Sequence, residues 1–184
     1  LRSLLAMEEE NFSYESVFRF LRTGMSGFTR EEVDRMENYV IALGLRGYSK
    51  WSDKWVRTTY EMKRKDAAEQ KELDVSAQAL DSLNQLRERF VKKIETLTKV
   101  LKKRKKTVKE ITIAVHEFLL QEKMQENVQE MENYFQEQGE LALAKEYSQV
   151  YRIVMELFDK FVELLGDEEI SLKEYNELLD AGLE

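Results

Sequence analysis

Hydrophobic residues recur at steps of three and four along the middle of the chain, over about thirty residues from 74 to 103. The stripe consists of Leu83, Leu86, Phe90, Ile94, Leu97 and Leu101. This spacing places side chains on one face of an α-helix, and neither glycine nor proline interrupts it. At 1.5 Å per residue the predicted helix is roughly 45 Å long. One of its faces must therefore be buried against other helices.

Start and stop signals divide the rest of the chain into further helices. Three capping boxes, each a Thr or Ser followed three residues later by Glu, predict helix starts at Thr29, Thr107 and Ser171. Gly44 and Gly166 follow helical apolar patterns and predict helix ends. No stretch shows the sustained alternation of a strand. The sequence therefore predicts an all-α fold, an irregular bundle of seven or eight helices with one long central helix.

Length and composition favour one folded unit. The 184 residues include 42% apolar and 10% aromatic residues, with no proline, which suits a single core built from uninterrupted helices. We predict one helical domain over 1–184, with a long helix over 74–106 that has a basic end and C-terminal helices over 107–184. Residues 51–62 are predicted to be a loop or a short helix, and the highly charged residues 63–73 to be partly disordered.

The net charge of −7 conceals an asymmetry. Between positions 91 and 109 nine basic residues face one acid, a net +8, which leaves −15 on the rest of the chain. The core of this cluster, which the pattern places on the last helical turn and just behind it, is Lys102, Lys103, Arg104, Lys105 and Lys106. It suits the negative end of the helix dipole. Two interpretations stay open: a solvated helix end, or a surface that contacts DNA phosphates.

Two tryptophans offer a second candidate for nucleic-acid contact. Trp51 and Trp55 lie close to Arg46, Lys50 and Lys54, and exposed aromatic rings beside cations can stack on bases. The alternative, which we favour, is that both rings anchor this segment onto the core.

Several kinds of chemistry are not indicated. The absence of cysteine excludes disulfides, thiolate catalysis and Cys-ligated metals within the chain, and is compatible with a reducing cytoplasm. The single histidine, His116, is interpreted as an ordinary helix residue. The acidic runs 8–10 and 167–169 are interpreted as solvated helix ends, and no phosphate-binding GxxxxGK[ST] loop occurs. We therefore predict no catalytic, cofactor-binding or metal site here, and no membrane-spanning segment.

Both ends of the chain carry motifs of a known family. Residues 14–24 read YESVFRFLRTG, residues 36–47 read MENYVIALGLRG, and Trp51 follows. Near the other end, residues 139–150 read GELALAKEYSQV, residues 164–175 read LLGDEEISLKEY, and residues 181–184 read AGLE. The chain resembles the AddB/RexB family, the B subunit of a bacterial ATP-dependent helicase–nuclease. Met36 and the run 43–45 depart mildly from the family pattern. The helices that carry the N-terminal motif are predicted to lie within residues 1–50.

The resemblance implies a role in a larger enzyme. The chain would be a piece of a longer protein, similar to the helical insertion called the 2B subdomain of a helicase-like fold. The parent protein would pair with an A subunit. The complex would bind double-stranded DNA ends and process double-strand breaks with ATP, Mg and an iron–sulfur cluster. None of the family's nuclease or cluster residues can be placed on this sequence, so the piece itself would be non-catalytic. The alternative is a free-standing helical adaptor that binds partner helices and has no DNA role.

Overall fold

The computed structural model describes residues 1–62, 71–74 and 76–183. Within them lie nine α-helices and one short pair of strands. The all-α prediction is confirmed; the helix count exceeds the predicted seven or eight. In chain order the elements are α1 Arg2–Glu9, α2 Tyr14–Leu21, α3 Arg30–Leu43, α4 Tyr48–Ser52, β1 Thr59–Met62, β2 Lys71–Asp74, α5 Ala77–Leu101, α6 Val108–Gln121, α7 Met124–Glu137, α8 Leu141–Leu165 and α9 Leu172–Leu183.

The chain forms two compact units, Leu1–Glu95 and Thr96–Glu184. The boundary falls inside α5, whose six predicted stripe residues are all buried. Leu83, Leu86, Phe90 and Ile94 therefore belong to the first unit, and Leu97 and Leu101 to the second. The single domain over 1–184 stays a prediction, because two compact units can belong to one domain.

The capping boxes form as predicted. At the start of α3, the Glu32 amide donates to the Thr29 hydroxyl and the Thr29 amide donates to the Glu32 carboxylate at 2.8 Å. The same reciprocal pairs start α6, between Thr107 and Glu110, and α9, between Ser171 and Glu174. Each pair satisfies backbone amides that have no partner within the helix.

The two predicted glycine stops differ in conformation. Gly44 ends α3 in the left-handed region, with φ 59°, where a side chain would be strained. Gly166 follows α8 with right-handed helical angles. Its carbonyl accepts a hydrogen bond from the Lys109 amide, so the start of α6 is tied to the end of α8.

The segment after α4 leads into a pair of strands that helical patterns do not predict. β1 and β2 pair antiparallel, with Thr59 opposite Asp74 and Met62 opposite Lys71. Four residues a strand are too few to show a period-two pattern. The prediction of a loop or a short helix over 51–62 did not include β1, and the prediction of partial disorder over 63–73 did not include β2. Residues 63–70 lie outside the described residues.

The core of the first unit is an aromatic cluster around Trp51. The Trp51 ring lies 4.9 Å from that of Phe90 on α5 and 5.6 Å from that of Trp55. Tyr39 of α3 stacks on Trp55 at 4.9 Å. Aromatic rings at such distances add packing energy beyond the area that they bury. This cluster therefore holds α3, α4 and α5 together.

The second unit packs α6, α8 and α9 around Tyr175. The Tyr175 hydroxyl hydrogen-bonds the Thr112 hydroxyl at 2.8 Å, and the centroids of the Tyr175 and Phe161 rings lie 5.8 Å apart in a T-shaped arrangement. Burial raises the pKa of Tyr175 to about 12. None of the described helices is long and apolar enough to cross a membrane.

Candidate nucleic-acid interface

The five basic residues of the predicted cluster lie in the turn between α5 and α6, which we call the basic loop, residues 102–106. Helix α5 runs from Ala77 to Leu101, so the long helix predicted over 74–106 was too long at both ends. Asp74 lies in β2, and Lys102, Lys103 and Arg104 follow the helix. The Lys102 amide still donates to the Thr98 carbonyl, four residues earlier. The Lys103 amide donates to the Val100 carbonyl, only three residues earlier, and this 3₁₀-type bond ends the helix. The cations therefore project from a turn.

Backbone hydrogen bonds hold the end of the basic loop in place. The Lys106 carbonyl accepts from the Ile170 amide at 3.1 Å, and the Val108 amide donates to the Glu168 carbonyl at 3.0 Å. Thr107 and Glu169 lie opposite each other in this short antiparallel bridge. The chain leaves α5 to make this pairing, which fixes where the loop meets the acidic run 167–169.

Lys103, Lys105 and Lys106 each have a polar partner within the second unit. Lys103 lies 2.8 Å from a carboxylate oxygen of Glu110, and Lys105 lies 3.3 Å from one of Glu169. The Lys106 ammonium donates to the Lys103 carbonyl at 3.0 Å. Arg104 is exposed and has no hydrogen-bond or ion-pair partner among the described residues. The positive field of the loop is therefore partly neutralised by its own surroundings.

The ion pair at the start of α6 has a measurable consequence. The hydrogen bond from Lys103, with the Thr107 amide as a second donor, holds the pKa of Glu110 below its usual value. A lowered carboxyl pKa contributes stability that is present above the unfolded-state pKa and lost as the pH falls through the folded-state pKa.

We expect Lys103→Gln to raise the pKa of Glu110, because the charged donor is lost while the Thr107 amide remains. Side-chain carboxyl NMR titration measures the shift directly. Lys105→Gln is the matched control, since Lys105 pairs with Glu169, and it should leave the Glu110 titration unchanged. An unchanged Glu110 pKa in Lys103→Gln would mean that the pair does not persist in solution.

The tryptophans are buried. Trp51 is 0% exposed and Trp55 5%, so neither ring can stack on a base, and the anchoring interpretation is confirmed. Arg46, Lys50 and Lys54 are exposed beside them.

Other candidate residues show no reactive arrangement. His116 is half-buried on α6, as an ordinary helix residue would be. In the part of the chain that the structure describes, no group of three or more His, Cys, Asp or Glu side chains is placed to hold a metal ion. The acidic run 167–169 is exposed, as predicted, whereas Glu8 and Glu10 of the run 8–10 are half-buried.

The sequence did not identify the counter-ions of the basic loop. Glu110 belongs to a predicted capping box seven residues after Lys103, so the signal for one pair was present. Glu169 lies 64 residues from Lys105 in sequence, and no local pattern links them.

Curated relatives match nearly the whole chain. An ATP-dependent helicase/deoxyribonuclease B subunit from Lachnoclostridium phytofermentans is 37% identical over 99% of this chain. Proteins of the same description from Clostridium acetobutylicum and Clostridium botulinum strain Hall are 36% and 38% identical over 100% and 98% of it. The chain spans only 15–16% of the length of these relatives. No protein-family profile matches.

The matches agree with the motifs at both ends of the sequence. Because the alignments run through the middle of the chain as well, they include the long helix and the basic loop. The chain therefore belongs to the AddB/RexB family, the B subunits of ATP-dependent helicase/deoxyribonucleases, and corresponds to about 15% of a full-length member.

Proposed function

We propose that this chain is a non-catalytic helical segment of the B subunit of an ATP-dependent helicase–nuclease that processes DNA double-strand breaks. Its role is to support subunit packing and to contact the DNA backbone. The match of nearly the whole chain to helicase/deoxyribonuclease B subunits carries this proposal. In it, the ATP, Mg and iron–sulfur cluster implied by the resemblance belong to regions outside this chain, and the segment is analogous to a 2B insertion.

The engagement of the acidic side chains supports a structural role. Glu32, Glu110 and Glu174 each close a capping box. Glu32 also accepts two hydrogen bonds from Arg89, at 2.7 and 3.0 Å. Carboxylates held in this way stabilise helix starts and helix–helix contacts.

The proposed DNA contact is made by the basic loop. Its cations lie on a turn that is fixed at one end by backbone pairing, and four of the five are exposed. Clustered lysines without exposed aromatic rings bind phosphates rather than bases. Contact should therefore be independent of DNA sequence and strongly dependent on salt.

We expect replacement of all five loop cations by Gln to reduce the slope of log affinity against log salt by about 3 units. The reduction should be smaller than five because Lys103 and Lys105 must first leave Glu110 and Glu169. Fluorescence anisotropy with a labelled duplex of mixed sequence, between about 25 and 200 mM KCl, measures the slope.

The matched control changes the same number of charges elsewhere in the second unit. Its five exposed residues, each replaced by Gln, are Lys123, Lys145, Arg152, Lys160 and Lys173. If this control weakened binding as much as the loop variant, the effect would be one of net charge, and the assignment to the loop would be wrong. Absence of duplex binding by the unaltered chain at the lowest salt concentration would also remove it.

The A subunit of the complex is the proposed protein partner. Co-purification of the chain with an intact A subunit tests this directly, and it does not depend on any DNA contact. Failure to co-purify would contradict the packing role and leave the DNA result untouched.

Exposed apolar residues on α8 favour the second candidate, a free-standing adaptor. Leu143, Val150 and Ile153 lie along this helix and are 37–41% exposed. Such side chains can pack against a partner helix. Size-exclusion chromatography distinguishes the two functions: a monomer at all concentrations suits the B-subunit segment, and a concentration-dependent dimer favours the adaptor.

A further inference from the structure

A second basic segment lies in the first unit, directly after α3. Between positions 44 and 58 four basic residues, Arg46, Lys50, Lys54 and Arg57, face a single acid, Asp53. All four basic side chains are exposed. Hydrogen bonds lower the pKa of the Glu15 carboxyl, and the positive charge of Arg46 adds a smaller effect in the same direction. The charge of Arg46 is therefore partly balanced within the first unit.

The remaining three cations have no ion-pair partner among the residues that the structure describes. Lys50, Lys54 and Arg57 form no salt bridge with any side chain in the described part of the structure. This distinguishes them from the basic loop, where Lys103 and Lys105 are paired with carboxylates. A cation that has no internal partner can neutralise a phosphate without first giving up a salt bridge.

The backbone that carries these cations is held in place by hydrogen bonds to side chains of α5. The Trp55 amide donates to Asn84 Oδ1 at 2.9 Å, and Asn84 Nδ2 returns a bond to the Trp55 carbonyl at 2.8 Å. Arg87 Nη1 donates to the carbonyls of Trp51 and Ser52 at 2.9 and 3.0 Å. These polar side chains of α5 therefore hold the segment at its middle.

Hydrogen bonds also hold the backbone of Lys50 and Arg57, the first and last of the three cations. The carbonyl of Lys50 accepts from the Trp55 indole at 3.0 Å, and that of Arg57 accepts from the Tyr39 hydroxyl at 3.0 Å. Since Trp51 and Trp55 are buried, Lys54 and Val56 are turned outward, and Val56 is 73% exposed. A fixed backbone presents charges to a ligand at lower entropic cost than a free loop does.

We propose that Lys50, Lys54 and Arg57 form a second DNA-binding surface, which binds the phosphodiester backbone of a duplex without reading its sequence. This inference rests on the proposed function for its choice of DNA as the polyanion. The burial of both tryptophans removes the stacking on which most single-strand binding relies. A duplex, with its higher density of phosphate charge, is therefore the preferred ligand over a single strand.

The test is a triple variant, Lys50→Gln with Lys54→Gln and Arg57→Gln. Its slope of log affinity against log salt for the duplex should fall by about 2–3 units, roughly one for each phosphate that is no longer neutralised. The unaltered chain should bind the duplex more tightly than a single strand of equal length. The matched control replaces Arg30, Arg35 and Lys92, three exposed cations of the same unit that form no salt bridge among the described residues, by Gln and should leave the slope unchanged.

The outcomes separate this inference from the basic-loop proposal. If the triple variant keeps the original salt slope while the variant with all five loop cations replaced has a reduced slope, the second surface alone is wrong. If only the triple variant has a reduced slope, the basic-loop proposal alone is wrong. Circular dichroism confirms that the triple variant is folded, and exchange of Lys for Arg and Arg for Lys at the three positions should retain binding. If the triple variant binds DNA normally but no longer co-purifies with the A subunit, the surface is a protein interface and the proposal is wrong.

Discussion

Replacing Trp51 by alanine is expected to lower the free energy of unfolding of the first unit by about 3–5 kcal/mol, the range for truncation of a large buried aromatic residue. Trp51 is fully buried, and its ring contacts those of Phe18, Trp55 and Phe90. The substitution leaves a cavity among side chains from two helices, α2 and α5, and from the segment that follows α4. Rigid aromatic neighbours are poorly able to close such a cavity, so the loss should lie in the upper part of this range.

Tryptophan fluorescence makes this measurement specific to the first unit, because the chain has two tryptophans and both lie there. Trp55 remains as the reporter in Trp51→Ala, and denaturant titration gives the midpoint. Val56→Ala is the control: this side chain is 73% exposed, so its loss should change stability by less than about 0.5 kcal/mol. A change as small as that of the control in Trp51→Ala would contradict the central position of the ring.

Local patterns predicted the helices because their signals act over a few residues. The stripe from Leu83 to Leu101 is buried along its whole length, and the boxes at Thr29, Thr107 and Ser171 form with both hydrogen bonds. Apolar spacing and reciprocal capping are properties of the helix itself. They can therefore be read from the sequence without knowledge of what packs against it.

The environment of the basic loop could be predicted only in part. Its charge is visible in the sequence, but the end of α5 at Leu101 and the pairing of Lys105 with Glu169 depend on the bridge between Thr107 and Glu169. That bridge joins segments that are far apart in the sequence. Tertiary pairing of this kind overrides the local expectation that a cluster of lysines continues the helix.

The burial of two polar residues of α5, which bond the backbone around Trp51 and Trp55, was not predicted either. Asn84 and Arg87 lie on α5 among Leu83, Leu86 and Phe90, and both are buried. A polar residue beside an apolar stripe reads as the edge of the solvated face. Its burial follows from the unpaired backbone groups of the segment that it meets, because such groups must find partners when they leave water.

Asn84→Ala is therefore expected to destabilise the first unit by about 2–4 kcal/mol, since each buried group left without a partner costs about 1–3 kcal/mol. The substitution removes the partners of the Trp55 amide and carbonyl, and also the oxygen that accepts from Arg87 Nε at 3.0 Å. The higher helix propensity of alanine offsets at most about 0.7 kcal/mol. Denaturant titration followed by tryptophan fluorescence measures the loss.

Gln85→Ala is the matched control for this prediction, because Gln85 is the exposed neighbour of Asn84 and bonds only Asp81 among the described residues. It should change stability by less than about 0.5 kcal/mol. Hydrogen exchange identifies the mechanism: the Trp55 amide should exchange faster in Asn84→Ala, well before global unfolding, because its acceptor is gone. If stability fell while exchange at Trp55 stayed slow, the loss would come from packing alone, and Asn84 would not be what fixes the segment that carries Lys50, Lys54 and Arg57.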